Sequence, residues 1–201
     1  ENVLGKDSRT NYWYSYILVI LVFFVIIMYG MMIATSVANE KSNRTVEILV
    51  TSTTSTSLLF GKVLAGATAI LFQLGLIFAS LLGAYSLNRE NLGGMLDIVL
   101  DIPADVLVTF AIFGLGGFLI YAFMYGALGA LVSKIEDLNK SAGTAQMLVM
   151  IIYFLVLFQM MEPDGIIMKV LSFLPVSSYS AMFIRIAMGS VATWEIIIAA
   201  V

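Results

Sequence analysis

The chain has 201 residues, of which 61% are hydrophobic and only 11% are charged, and its formal net charge is −3. Soluble domains are about half apolar and a quarter charged, so this composition excludes an ordinary soluble fold and indicates lipid as the main solvent. The chain contains no Cys and no His, which excludes disulfides, thiolate metal sites and catalysis by histidine. We therefore expect no catalytic, cofactor-binding or metal-binding site in this chain.

Four apolar runs are long enough to cross a membrane as helices. A spanning helix needs about 20 mainly apolar residues, and none of the four runs contains Lys, Arg, Asp or Glu. The runs do not alternate between polar and apolar residues, as the strands of an outer-membrane barrel would. The sequence therefore predicts an all-α polytopic membrane protein with spans at residues 16–37, 63–87, 106–132 and 142–161.

The remaining segments are polar or short. Residues 1–15 form a polar lead-in that ends in Tyr and Trp residues, which are typical of the headgroup level. Residues 88–105 form a loop, and residues 162–193 contain two short apolar pieces around a proline, which predict a re-entrant or interfacial hairpin. Residues 194–201 begin an apolar helix of roughly 12 Å, too short to cross a membrane. We therefore expect the chain to be an excerpt of a longer membrane protein.

The basic residues predict the orientation. Two short polar segments, residues 38–62 and 133–141, contain half of the Lys and Arg residues, and the other half is spread over about twice the length on the opposite side. Basic residues concentrate in cytoplasmic loops. We therefore expect these two segments to be cytoplasmic and the lead-in, the loop and the hairpin to be outside.

Residues 39–50 predict an amphipathic helix at the membrane surface. Val46, Leu49 and Val50 share one helical face at i, i+3, i+4 spacing, and the charged residues lie mostly elsewhere. Arg44 has neighbours of opposite charge at both i−4 and i+3, where side chains on a helix can pair.

A hydroxyl-rich link connects that helix to the second span. Ser55, Thr56 or Ser57 is expected to cap the second span by accepting a hydrogen bond from its free amides. Gly61 is expected to allow close packing where the span begins, and Lys62 is expected to hold its ammonium at the headgroup level.

The third span is rich in glycine, which predicts close helix packing in lipid. A flexible hinge in a moving helix is the alternative interpretation. The spans also contain uncharged polar residues that form interhelical hydrogen bonds or line a translocation path: Gln73, Thr109, Gln146 and Gln159.

The stretch EKSNRTVEILVTSTTSTSLLFGK resembles the first cytoplasmic segment of ABC-2 type permeases, especially their sodium-exporter-like and drug-exporter-like branch. The family pattern is roughly E-K-x-x-R-x-x-E-x-L, a Ser-rich link, and then L-x-x-G-K. Many members have Ser-Pro in the link, whereas this chain has TSTTSTS. The later stretch FLPVSSYSAMFIRIAMG also resembles the re-entrant element of that family. The first pattern matches Glu40, Lys41, Arg44, Glu47, Leu49, Leu59, Gly61 and Lys62.

The resemblance implies an ABC-2, type V exporter-like transmembrane domain with four full spans, a re-entrant hairpin and the start of a last span. It implies a permease subunit in the plasma membrane of a bacterium, paired with a second permease subunit as a homodimer or heterodimer. It also implies a separate ATP-binding cassette ATPase that holds ATP and Mg²⁺. The residues that would couple this ATPase to the spans are Glu40, Lys41, Arg44, Val46, Glu47, Leu49, Gly61 and Lys62.

The implied function is the export of sodium, a drug, a peptide or a lipophilic molecule. The lipid bilayer is the further expected partner, and no nucleic acid is expected to bind. The chain has no P-loop of its own, because Thr56 and Val63 stand where that pattern needs Gly and Ser or Thr. Two alternatives stay open on the sequence. One is a membrane scaffold or sensor that binds another cytoplasmic partner. The other is an autonomous channel or carrier, against which the charge-free spans argue.

Overall fold

The computed structural model describes residues 8–43, 53–91, 104–188 and 191–200, with side chains throughout except at residues 8–11, 104–105 and 200. These residues contain helices and no strand. Four of the helices are long and apolar enough to cross a membrane, which confirms the predicted all-α polytopic fold. The helices are α1 (Ser8–Ser42), α2 (Ser55–Asn88), α3 (Ala104–Leu131), α4 (Ile135–Gln159), α5 (Ile166–Phe173), α6 (Pro175–Met188) and α7 (Thr193–Ala200).

The helices extend beyond the apolar runs that predicted them. α1 continues to Ser42 instead of ending at Val37, and α2 begins at Ser55 instead of Val63. α4 begins at Ile135, so most of the predicted connector at residues 133–141 is helical. An apolar run ends where the hydrocarbon ends, whereas the hydrogen bonds of a helix continue until a cap or a turn stops them.

α1 and α3 form the centre of the bundle, because they contact each other and each of them also contacts α2, α4 and α6. One buried apolar cluster joins this pair to α4, α5 and α6. A second cluster joins the pair to α2 alone. α2 and α4 therefore pack on different surfaces of the α1–α3 pair. The second cluster consists of Ile33, Val63, Ala67, Ile70, Phe118 and Ala122.

Glycines on α3 allow the neighbouring helices to approach closely. A Cβ added at Gly129 would overlap the backbone of Ala34 on α1 and lie 3.0 Å from its Cα. A Cβ at Gly117 would overlap the side chain of Tyr179 on α6. These contacts support the packing interpretation at both positions. Gly116 differs, because a Cβ there would have no neighbouring atom within 4 Å.

The two short helices α5 and α6 form a hairpin that packs on the centre of the bundle. Leu174 between them has an extended backbone, with φ −81° and ψ 124°, because a proline disfavours the helical conformation of the residue before it. Pro175 itself begins α6, where it needs no hydrogen-bond donor. The hydroxyl of Tyr121 on α3 donates to the carbonyl of Val176 at 2.6 Å. α6 is buried along most of its length, whereas Phe173, Leu174 and Pro175 at the break between the two helices are exposed.

A matched pair of glycine substitutions tests the packing of α3. Gly129→Ala is expected to lower the free energy of unfolding by about 1–3 kcal/mol, because the added methyl group meets backbone atoms that cannot rotate away. Gly116→Ala on the same helix is expected to leave it unchanged or to raise it by up to about 1 kcal/mol, because the methyl group meets no neighbour and alanine favours a helix. The measurement is denaturant unfolding of the purified protein in detergent. Equal losses for the two variants would contradict the close approach of α1 to α3.

Candidate functional site

Charged side chains join the ends of α1, α2 and α3 next to the segment that links α1 to α2. Lys62 Nζ on α2 lies 2.5 Å from Glu40 Oε1 on α1, and it donates to Ser36 Oγ at 2.8 Å. Lys41 Nζ on α1 donates to the carbonyl of Ala130 on α3 at 2.6 Å. We call these five residues the helix-end cluster. It connects three spans at one end of the bundle.

The contact of Lys41 with Ala130 satisfies a backbone group that α3 leaves without a partner. α3 ends at Leu131, so the carbonyl of Ala130 belongs to the last turn and has no intrahelical donor. An ammonium at a helix C-terminus also interacts favourably with the helix dipole. The Lys62 and Glu40 side chains are 17% and 32% exposed, so solvent screens their attraction only in part. The cluster is therefore an ordered link between helices.

Three of the predicted coupling residues, Glu40, Lys41 and Lys62, are brought together in this cluster. Residues 39–42 form the last turn of α1, so the predicted start of a separate amphipathic helix at Asn39 is wrong. α1 persists because its apolar run passes directly into residues 38–42, which contain no Gly or Pro that would end a helix. Gly61, another of the predicted coupling residues, is exposed on α2. The remaining four lie outside the described residues: Arg44, Val46, Glu47 and Leu49.

The structure corrects two predictions at the start of α2. Thr54, rather than one of the three residues after it, caps the helix, and its side chain accepts from the amide of Ser57 at 3.2 Å. Gly61 does not allow close packing, because it is exposed and a Cβ there would have no neighbour within 4 Å. Gly66 has that role instead, since a Cβ there would lie 3.1 Å from the side chain of Ile33. α2 turns Gly66, and not Gly61, toward α1.

The four candidate path residues lie on three different helices of the described part of the chain. Gln73 on α2 accepts a hydrogen bond from the hydroxyl of Tyr29 on α1, which is the interhelical bond that the sequence left as one interpretation. Thr109 is partly buried on α3. Gln146 is exposed on α4, and Gln159 is partly buried at the end of α4. Because α2 and α4 pack on different surfaces of the α1–α3 pair, Gln73 lies on another side of the pair from Gln146 and Gln159.

Sequence reasoning missed a buried polar network around Arg185. The Arg185 side chain is fully buried on α6. It donates from Nη1 to Ser172 Oγ on α5 at 2.7 Å and from Nη2 to Glu195 Oε2 on α7 at 2.6 Å. Phe173 and Trp194, which follow Ser172 and precede Glu195 in the sequence, stack with their ring centroids 6.5 Å apart. The signal in the sequence is a single arginine inside the apolar run AMFIRIAMG.

This network fastens the hairpin to α7. A buried guanidinium is costly unless a counter-charge and hydrogen bonds accompany it. Glu195 supplies the counter-charge, and its side chain is only 16% exposed. Within the described residues, no group of three His, Cys, Asp or Glu side chains could hold a metal ion. The hydrogen bonds of Arg185 to Ser172 and Glu195 connect α5, α6 and α7.

These features define a polytopic α-helical membrane protein whose charged helix ends surround the link between its first two described spans. Residues 2–201 match the family described as "ABC-2 family transporter protein", and the chain belongs to that family. This membership confirms the resemblance of the sequence to ABC-2 permeases.

Two curated relatives are similar over most of the chain. The protein YhaP of Bacillus subtilis (strain 168) is 32% identical over 185 residues, which cover 90% of this chain and 44% of that protein. The protein MJ1024 of Methanocaldococcus jannaschii is 25% identical over 186 residues, which cover 90% of this chain and 42% of that protein. The chain therefore spans less than half the length of these relatives. No solved structure matches it.

The Arg185 network predicts an asymmetric response to substitution. Glu195→Leu leaves the guanidinium buried without a counter-charge and is expected to lower the free energy of unfolding by about 3–5 kcal/mol. Arg185→Met combined with Glu195→Leu removes both charges and is expected to restore it to within about 1 kcal/mol of the original. Denaturant unfolding in detergent measures both variants. A double variant as unstable as Glu195→Leu alone would show that shape, and not charge, holds these helices together.

Proposed function

We propose that this chain is the permease part of an ABC exporter, driven by ATP hydrolysis on a separate ATPase subunit. The ATPase would bind residues 44–50 from the cytoplasm. The observation that supports this proposal is the helix-end cluster, because it fastens both ends of the segment between Asn43 and Thr53 to the spans. A force on this segment would reach the membrane domain through structured contacts.

The helix-end cluster suits the transmission of force to several spans. The Lys62–Glu40 contact joins the start of α2 to the end of α1, so a displacement of the segment would move both helices. Lys41 extends the connection to α3 through the carbonyl of Ala130. Gly129 packs against α1 nearby. Closely packed helices change position as rigid bodies, which is how a switch between inward-facing and outward-facing states would occur.

The remaining partners follow from the same proposal. ATP and Mg²⁺ would be held by the ATPase, and this chain would have no enzymatic activity of its own. A second permease subunit, identical or different, would complete the transport path in the plasma membrane. α2 exposes apolar side chains such as Phe72, Leu76 and Leu82, which would contact lipid or that subunit. The proposed direction is export, and the proposed cargo is a sodium ion, a drug, a peptide or a lipophilic molecule.

Substitutions in the segment between α1 and α2 test the proposal. Arg44→Ala and Glu47→Ala together are expected to lower both recovery of the ATPase with the permease and ATP hydrolysis by the reconstituted complex, by about tenfold or more. The physical reason is that charged side chains at an interface fix register and lose affinity when truncated. The measurement uses the full-length protein reconstituted with its ATPase.

The matched control is Arg89→Ala with Glu90→Ala, which removes the same two charges just beyond the other end of α2. We expect this variant to recover the ATPase normally. If both double variants behave like the unmodified protein, residues 44–50 do not couple the ATPase. Flux through the purified permease without any ATPase would instead favour an autonomous channel or carrier.

A further inference from the structure

A cavity of about 390 Å³ lies between the end of α1 and the start of α2, beside the helix-end cluster. Glu40, Lys41, Ser55, Thr56 and Lys62 contribute the polar part of its wall. The rest of the wall is apolar. We call this space the helix-end cavity. Neither the family membership nor the proposed docking of an ATPase assigns a ligand to it.

The charges at the helix-end cavity favour an anion. Lys62 and Glu40 neutralise each other, since Nζ and Oε1 lie 2.5 Å apart. Lys41 donates to the uncharged carbonyl of Ala130, and an ammonium has three donors, so its charge and its other N–H groups stay available. The hydroxyls of Ser55 and Thr56 add donors at the N-terminal end of α2, where backbone dipoles also favour negative charge.

The apolar part of the wall favours a ligand with a hydrocarbon chain. Val37, Leu58 and Leu59 line the cavity together with Ala130. A small hydrophilic anion would leave these side chains in contact with water. An amphiphile would cover them with methylene groups while its charged group reaches Lys41, which removes apolar surface from water.

The position of the cavity matches the headgroup level of a membrane. α1 has 35 residues and is roughly 52 Å long at helical rise, whereas the hydrocarbon core is about 30 Å thick. α1 is therefore longer than the hydrocarbon core. Glu40 and Lys41 lie in the C-terminal turn of α1, beyond its apolar run. A phospholipid of the adjacent leaflet would reach the cavity without leaving the membrane.

We propose that the helix-end cavity binds an anionic phospholipid, with its phosphate at Lys41 and the first part of an acyl chain along Leu58 and Leu59. Basic pockets between spanning helices recognise anionic headgroups in this way. The bound lipid would join α1 to α2 next to the segment proposed to meet the ATPase. The lipid site does not depend on that docking, because its binding is measured on the permease alone.

The test is thermal unfolding of the full-length protein in neutral detergent during titration with dioleoylphosphatidylglycerol. This lipid is expected to raise the midpoint temperature by several degrees and to saturate, because a ligand that binds only the folded state stabilises it. Dioleoylphosphatidylcholine has the same chains without net charge and is expected to shift the midpoint much less. Glycerol 3-phosphate has the anionic group without chains and is expected to leave the midpoint unchanged.

Two substitutions with opposite effects locate the site. Lys41→Gln is expected to weaken the apparent affinity for dioleoylphosphatidylglycerol about fivefold, through loss of one cation at the phosphate. Glu40→Gln is expected to tighten it, because it removes the anion of the cavity and frees Lys62. The matched control is Lys140→Gln, which removes an exposed charge from α4 at the same end of the bundle, outside the cavity wall.

Three results would overturn the proposal. Equal shifts of the midpoint temperature with the anionic and the zwitterionic lipid would show that the site does not recognise headgroup charge. Equal weakening by Lys41→Gln and Lys140→Gln would show a general surface-charge effect. A full shift with glycerol 3-phosphate would show that the apolar wall does not contribute. If Lys41→Gln does not fold, weaker binding by Glu40→Gln is sufficient to reject the site.

Discussion

The contact of Lys62 with Glu40 and Ser36 determines how the first two described spans leave the membrane. Both helices continue past their apolar runs, so their polar ends need partners where lipid no longer surrounds them. An ammonium between a carboxylate and a hydroxyl supplies such partners without deep burial of charge. This contact joins the start of α2 to the end of α1, and both charged partners line the cavity beside it.

A second constraint is the close approach of helices around α3. In lipid no hydrophobic effect presses the spans together, so backbone proximity and hydrogen bonds decide how they pack. Gly117 and Gly129 allow α6 and α1 to approach the same helix. The hydroxyl of Tyr121 fixes the hairpin at its break. In the same hairpin, Arg185 connects α6 to α5 and α7, so a movement of a spanning helix would also move the hairpin.

The sequence predicted the number and the order of the spans because a run of about 20 apolar residues has few alternatives to a spanning helix. It could not predict where the helices end, since Glu40 and Lys62 look like loop residues until their helices bring them together. The sequence does not distinguish Gly61 from Gly66, because the rotation of α2 about its axis decides which glycine faces α1. Arg185 looked like an isolated charge because its partners Ser172 and Glu195 lie on other helices.

Glu40 and Lys62 act as one pair rather than as two independent contacts. A double-mutant cycle on the free energy of unfolding, with Glu40→Gln, Lys62→Gln and the double variant in the same detergent, tests it most directly. A partly buried pair predicts a coupling energy of about 1 kcal/mol, so the double variant loses less than the sum of the single losses. Strictly additive losses would contradict the account.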